Sequence, residues 1–356
     1  MNPEQKKQSF LARKNIVFSA KRYGIDALGA MAQGLFASLL MGTILDTLGT
    51  QTGIVFFSEV GKFAKSAEVV GAAMAIAIAR ALGAPPLVLF SMVTVGASAN
   101  VLGGAGGPLA VLLMSAVATE FGKAVSGETK VDILVTPFVT LTVGVGLSML
   151  LAPSVGAAAS SVGAIIRWAT VQRPLLMGIV ISVVVGMALT LPISSAAICF
   201  ALGLTGLAGG AAVAGCCAQM VGFAVMSFPE NGWGGILSQG LGTSMLQMGN
   251  IVKNPRIWIP PTLASAITGP IATCLFRFEM NGPPIASGMG TCGLVGQIGT
   301  YTGWVSDIAA GLRGPVTGMD WAALILISFV LPAVLTWLIS VPLRRMGWIR
   351  EGDLKL

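Results

Sequence analysis

One stretch of the chain concentrates groups able to recognise a polar solute. Residues 228–243, FPENGWGGILSQGLGT, place a carboxylate (Glu230), two amides (Asn231 and Gln239), hydroxyls and five glycines inside an otherwise apolar region. A carboxylate between hydrophobic segments is costly to desolvate, so its expected place is a polar cavity serving binding or transport. The flanking Pro and Gly predict irregular backbone, which at membrane depth survives only inside protein or along a water-filled path. Glu230 is therefore the first candidate for substrate binding. A solvated loop is the plainer alternative.

A second glycine-rich passage, 281–304, carries Thr291 and Gln297 and reads as another wall of the same cavity. Its glycine spacing superficially resembles a nucleotide loop, but no Lys-Ser/Thr follows and no βαβ pattern surrounds it. A third cluster, NVLGGAGGP at 100–108, is read as a tight turn between antiparallel helices, with Asn100 as a possible ligand contact. Trp233 could stack on a ligand face or serve as an interfacial anchor. Asp26 and Asp46 fall near the ends of one apolar run, where a carboxylate reaches water.

The elements that must position these groups are membrane helices. Of 356 residues, 54% are hydrophobic and 10% charged, with a mean hydropathy of +0.85. A soluble domain carries roughly 25% charged residues, so the chain reads as a polytopic all-α membrane protein. About eight to ten transmembrane helices are expected, with interfacial amphipathic helices and re-entrant hairpins; the span count is ambiguous over 69–121 and 174–204. Clear spans are predicted over 25–48, 133–151 (closed by Pro153), 206–228, 257–276 and 321–341. Residues 54–68 and 154–170 read as interfacial helices.

The net charge of +7 resides in the termini and short loops, the positive-inside pattern, which places both ends in the cytoplasm and argues against a nucleic-acid partner. Residues 1–23 read as a cytoplasmic amphipathic helix, 24–343 as a single transport domain with its site over about 227–304, and 344–356 as a cytoplasmic tail. There is no histidine, which excludes His-dependent triads, His metal ligands and a histidine pH switch. Cys199, Cys216, Cys217, Cys274 and Cys292 lack CxxC spacing and read as buried packing residues. No metal, cofactor or intrinsic catalysis is expected.

With Glu230 and the following KNPRIWIPP (253–261), the chain resembles the membrane-embedded IIC permeases of bacterial sugar phosphotransferase systems, in the glucose and lactose superfamily. GMGTCGLVGQI at 288–298 is similar to the PfoR-like branch of that group. The resemblance implies a homodimer in the bacterial inner membrane, translocating a carbohydrate by elevator-like alternating access. It also implies that Glu230, helped by Asn231 and Gln239, accepts hydrogen bonds from sugar hydroxyls, since a polyol offers many donors and acceptors. Many such permeases place a histidine near the transported hydroxyl; this chain has none. It also holds no IIA or IIB phosphorylation residue, so phosphorylation would require separate IIA and IIB partner proteins. A IIC-like membrane sensor or regulator, and an ion-coupled carrier of another small solute, are the alternative readings.

Overall fold

The computed structural model describes residues 10–356. Among them regular structure is helical, with one isolated antiparallel bridge between Gly206 and Met280. Among the described residues five helical runs are long and apolar enough to cross a bilayer: Arg22–Thr52, Pro86–Val125, Asp132–Thr170, Gly206–Met226 and Gly318–Arg345. Pro174–Thr190 is a shorter apolar helix. The chain is a multi-pass all-α membrane protein. The eight to ten spans expected exceed these five runs, of which Pro86–Val125 contains two helices, Pro86–Gly103 and Gly107–Val125.

The chain divides into two compact units, Met1–Gly42 with Lys62–Ala157, and Thr43–Gly61 with Ala158–Leu356. In the first, Pro86–Gly103 and Gly107–Val125 form an antiparallel hairpin, with Asn100 beside Gly107 at the turn and Val88 beside Gly122 at the far end. The turn expected over 100–108 is thus present. Pro86 and Pro108 each sit in a helix's first turn, where the missing N–H costs nothing. The amphipathic helix expected over 1–23 lies partly outside the described residues. Within them, helix covers Phe10–Arg13 and stops at Asn15, whose φ is 53°.

The first unit also buries an ion cluster. Lys123, 2% exposed, donates to Glu120 Oε2 at 2.8 Å and to the Leu82 carbonyl at 2.9 Å. Tyr23 donates its hydroxyl to Glu120 Oε1 at 2.9 Å, and Arg22 Nε lies 4.0 Å from the same oxygen.

One boundary differs from expectation. Residues 133–170 do not divide into a span and a separate interfacial helix; Asp132–Thr170 is one helix of 39 residues containing Pro137 and Pro153. A proline removes one backbone donor and strains the preceding turn, but a membrane helix tolerates it when the freed carbonyl finds another partner.

The second unit is assembled around Gly206–Met226. This central helix is apolar on every face and almost wholly buried, the expected state for a helix without a polar stripe. Small residues make the enclosure possible. A Cβ at Gly215 would lie 1.9 Å from the Ser182 carbonyl oxygen, so the neighbouring helix Pro174–Thr190 approaches to backbone contact there. Two apolar clusters sit at the helix's two ends. Val213, Phe278, Met280, Trp304 and Leu324 belong to one; Phe223, Met226, Ile257, Leu343, Ile349 and Leu354 belong to the other.

Candidate functional site

The central helix ends at Ser227, and Phe228–Leu237 starts at once, with Pro229 and Glu230 in its first turn. A proline fits there because no intrahelical acceptor awaits its nitrogen, and a carboxylate there faces the positive end of the helix dipole. The expected irregular backbone is present at two places: Thr243 is extended after a π-helical turn over Ser238–Gly242, and Gly232, at φ 55° and ψ −152°, breaks Phe228–Leu237. A side chain is strongly disfavoured in that conformation, so glycine is what allows the chain to turn two residues after Glu230.

Glu230 is buried and paired. Arg344 Nη1 donates to Oε1 at 3.0 Å and Nη2 to Oε2 at 3.3 Å, a fork-on-fork arrangement, while Nη2 also donates to the Met226 carbonyl at 2.9 Å. The Glu230 side chain is 4% exposed against 27% for Arg344, so the guanidinium provides the contact with solvent. Such bidentate pairs are directional as well as strong. Beside the pair opens a cavity of about 310 Å³ lined by Met226, Phe228, Pro229, Trp337, Ser340 and Arg344.

The amides continue from there. Gln239, fully buried, donates to Ser227 Oγ at 2.7 Å and accepts from Gln247 Nε2 at 2.9 Å. Gln247 accepts in turn from Asn250 Nδ2 at 2.9 Å. The far end of this chain of amides grips the segment after the last helix. Asn231 Nδ2 donates to the Leu354 carbonyl at 2.7 Å, and Asn231 Oδ1 accepts from the Leu356 N–H at 2.9 Å. Gln247 and Asn250 donate to the carbonyls of Leu354 and Lys355, each at 2.9 Å. Asn254, of the KNPR sequence, donates to the Trp348 carbonyl and the Asp353 carboxylate, each at 2.8 Å. Ile349 and Leu354 anchor the same segment by burial, at 2% and 0% exposure.

Other candidate residues fall around this centre unevenly. Thr291 is fully buried and donates to the Gly240 carbonyl, which joins the second glycine-rich passage to the turn carrying Gln239. Gln297 instead faces the middle of the central helix: its Nε2 donates to Ser328 Oγ at 3.0 Å, and its buried Oε1 has no partner. Trp233 is 75% exposed and packs edge-on to Phe228 at 5.5 Å, the placement of an anchor. Asn100 belongs to the first unit, where it donates to the Ala67 carbonyl at 2.7 Å. Four cysteines are buried as expected, but Cys274 is exposed.

Two functional groups escaped the sequence reading. Arg344 was counted only as part of the basic terminus; its pairing with a residue 114 positions away leaves no local signal. Gln219 is the one amide within the central helix, and that isolation was the available clue. Its Oε1 accepts from Trp258 Nε1 at 2.8 Å and Thr190 Oγ1 at 3.2 Å, and Thr190 lies 2.7 Å from Ser244 Oγ. The arrangement as a whole, neutral amides and hydroxyls next to one ion pair, suits recognition of an uncharged, hydroxyl-rich solute more than bond-breaking chemistry.

A family model described as "Phosphotransferase system, EIIC" matches residues 25–356. Comparison with curated proteins and comparison with solved structures return no match.

Proposed function

Because the chain belongs to the phosphotransferase-system EIIC family, a sugar-transport component, we propose that it is a carbohydrate permease whose substrate is read by Glu230, Asn231 and Gln239. The observation that carries this reading is the Glu230–Arg344 pair beside a 310 Å³ cavity, at the break between two helices. That volume lies at the small end of the range of ligand pockets, with Phe228 and Trp337 as apolar walls and Ser340 and Arg344 as polar contacts. A carboxylate offers about four acceptor sites, so a sugar hydroxyl can donate to Glu230 while Arg344 stays in place. Thr291 ties the second glycine-rich passage to Gly240, next to Gln239. Gln297, with its unpaired acceptor, is a second polar contact deeper along the central helix.

In this reading the molecule works as a homodimer in the bacterial inner membrane with both termini in the cytoplasm. A mobile part carries the sugar in an elevator-like movement, and separate IIA and IIB proteins supply phosphate. Residues 24–343 form the transport domain. The grip of Asn231, Gln247 and Asn250 on 354–356 favours a second reading, in which solute binding releases this segment and the protein reports solute to a cytoplasmic partner.

Thermal stabilisation of the purified protein by a panel of sugars and hexitols, with sodium as a separate arm, tests the assignment. A ligand at 100 times its Kd adds about 2.7 kcal/mol. The expected result is stabilisation of the parent by a sugar and its loss in Glu230→Gln. Stabilisation that survives Glu230→Gln unchanged removes Glu230 from the site, and a response to sodium alone removes the carbohydrate assignment.

A further inference from the structure

At the opposite end of the central helix, about 30 Å from Glu230 by the rise of its 21 residues, lies a larger cavity of about 510 Å³. Glu279, Asn281, Trp304, Asp307, Arg313 and Asp320 line it, and all belong to the second unit. Asn281 is its keystone. The side-chain Oδ1 accepts from the Gly206 N–H at 3.0 Å, at the first residue of the central helix, while Nδ2 donates to Asp307 Oδ2 at 2.7 Å and Glu279 Oε2 at 3.3 Å.

Across the cavity, Arg313 donates to Asp320 Oδ1 at 2.7 Å and lies 5.1 Å from the ring centre of Trp304. The indole is itself fixed, donating to the Glu279 carbonyl at 3.2 Å. The rim includes Arg277, exposed and held at φ 45°, a left-handed conformation that an ordinary residue adopts only at a cost.

The valences of these groups identify a ligand class. An ionised carboxylate offers about four acceptor sites, and Glu279 and Asp307 each have one side-chain hydrogen bond, to the same amide. Arg313 has five N–H donors, of which one is engaged by a side chain. The cavity therefore presents spare acceptors on one wall and spare donors on the other, on side chains already oriented by their existing partners. A metal ion would leave the Arg313 donors unused, and a strong anion would face two uncompensated carboxylates. A neutral polyol, each hydroxyl of which both donates and accepts, satisfies both walls, and the volume is within the usual range for small-molecule sites.

We propose that this cavity is a second binding site for a carbohydrate or hexitol, physically separate from the one at Glu230 and attached to it through the central helix by the Asn281–Gly206 hydrogen bond. The ligand class follows from the cavity's own residues; that the two sites serve the same solute rests on the permease reading above.

The test is calorimetric titration of the full chain in lipid nanodiscs with hexoses, disaccharides and hexitols, on the parent, Glu230→Gln, Asp307→Asn and Arg313→Lys. Arg313→Lys keeps the charge while removing the planar fork, which guards against a simple folding defect in Asp307→Asn. The expected result is two binding phases in the parent. Glu230→Gln should retain one of them, and that phase should weaken about tenfold or more in Asp307→Asn and Arg313→Lys, the loss of a charge-assisted hydrogen bond. A single phase abolished by Glu230→Gln and untouched by the other two variants overturns the second site and leaves the permease reading intact. A single phase that only Asp307→Asn and Arg313→Lys weaken does the reverse. Absence of binding to any sugar or hexitol overturns both.

Discussion

The two units bury polarity in different currencies. In the first, Glu120, Lys123, Arg22 and Tyr23 form a charged cluster in which Lys123 also holds backbone carbonyls at Leu82 and Asn15. In the second, apart from the Glu230–Arg344 pair, the interior polar groups are neutral: Gln219, Gln239, Gln247, Thr190, Thr291 and Gln297. A buried ion pair is hard to take apart, because removing one partner leaves a desolvated charge. Neutral amides exchange partners at far smaller cost, since a hydrogen bond to a ligand replaces one to a neighbour. The first arrangement fixes a structure, and the second can accept a solute.

The largest expected effect follows from breaking the charged cluster. Lys123→Met strands Glu120 and should cost ~3–5 kcal/mol, seen as a collapse in thermal stability and expression, while adding Glu120→Gln should restore much of the loss. A single variant as stable as the parent would show that this cluster does not fix the first unit. Next in size, Gln219→Leu removes the acceptor used by Trp258 and Thr190 and should destabilise by ~1–3 kcal/mol in the same assay, less than Lys123→Met. Equal losses would erase the distinction between the units.

The smallest effect lies at the surface of the first unit. The hydrogen bond from Lys14, with the charges of Lys14 and Arg13, holds the Glu128 carboxyl below its ordinary value of 4.5. Its stabilising contribution is complete above the unfolded value and fades as the pH falls through the lower folded one. Because the pair is exposed, global stability should hardly move. Protease cleavage in the 126–131 loop should rise modestly at about pH 4 relative to neutral pH, and the rise should vanish in Glu128→Gln.

Much of the architecture was legible because lipid imposes a simple code: apolar runs near bilayer length, punctuated by Gly and Pro. The hairpin turn at 100–108 and the break near Glu230 both follow from it. Pro153 misled because proline interrupts a helix only when its strained turn has no other support, and support is a tertiary property. The Glu230 region was legible from a carboxylate in apolar surroundings. What occupies that carboxylate and the neighbouring amide was not, since Arg344 reaches Glu230, and the Leu354 carbonyl reaches Asn231, by long-range packing. Asn281 opened a passage read as a wall of the Glu230 cavity and Asp307 was not singled out; only the fold brings them together at the first residue of the central helix.

The near-total enclosure of Gly206–Met226 bears on how the protein is made. One neighbour, Pro174–Thr190, precedes it in the chain, while Ile259–Pro270 and Gly318–Arg345 follow it, so at synthesis the central helix enters the bilayer with only part of its surround made. Its apolar composition suits that interval, when the faces not covered by Pro174–Thr190 meet lipid tails, and its glycines suit close approach of backbones. The Gln219 side chain has Thr190, made earlier, as one donor to its Oε1 and gains Trp258, which is made 39 residues later, as the second. Assembly of the second unit therefore runs from Pro174–Thr190 and the central helix outward to Ile259–Pro270 and Gly318–Arg345.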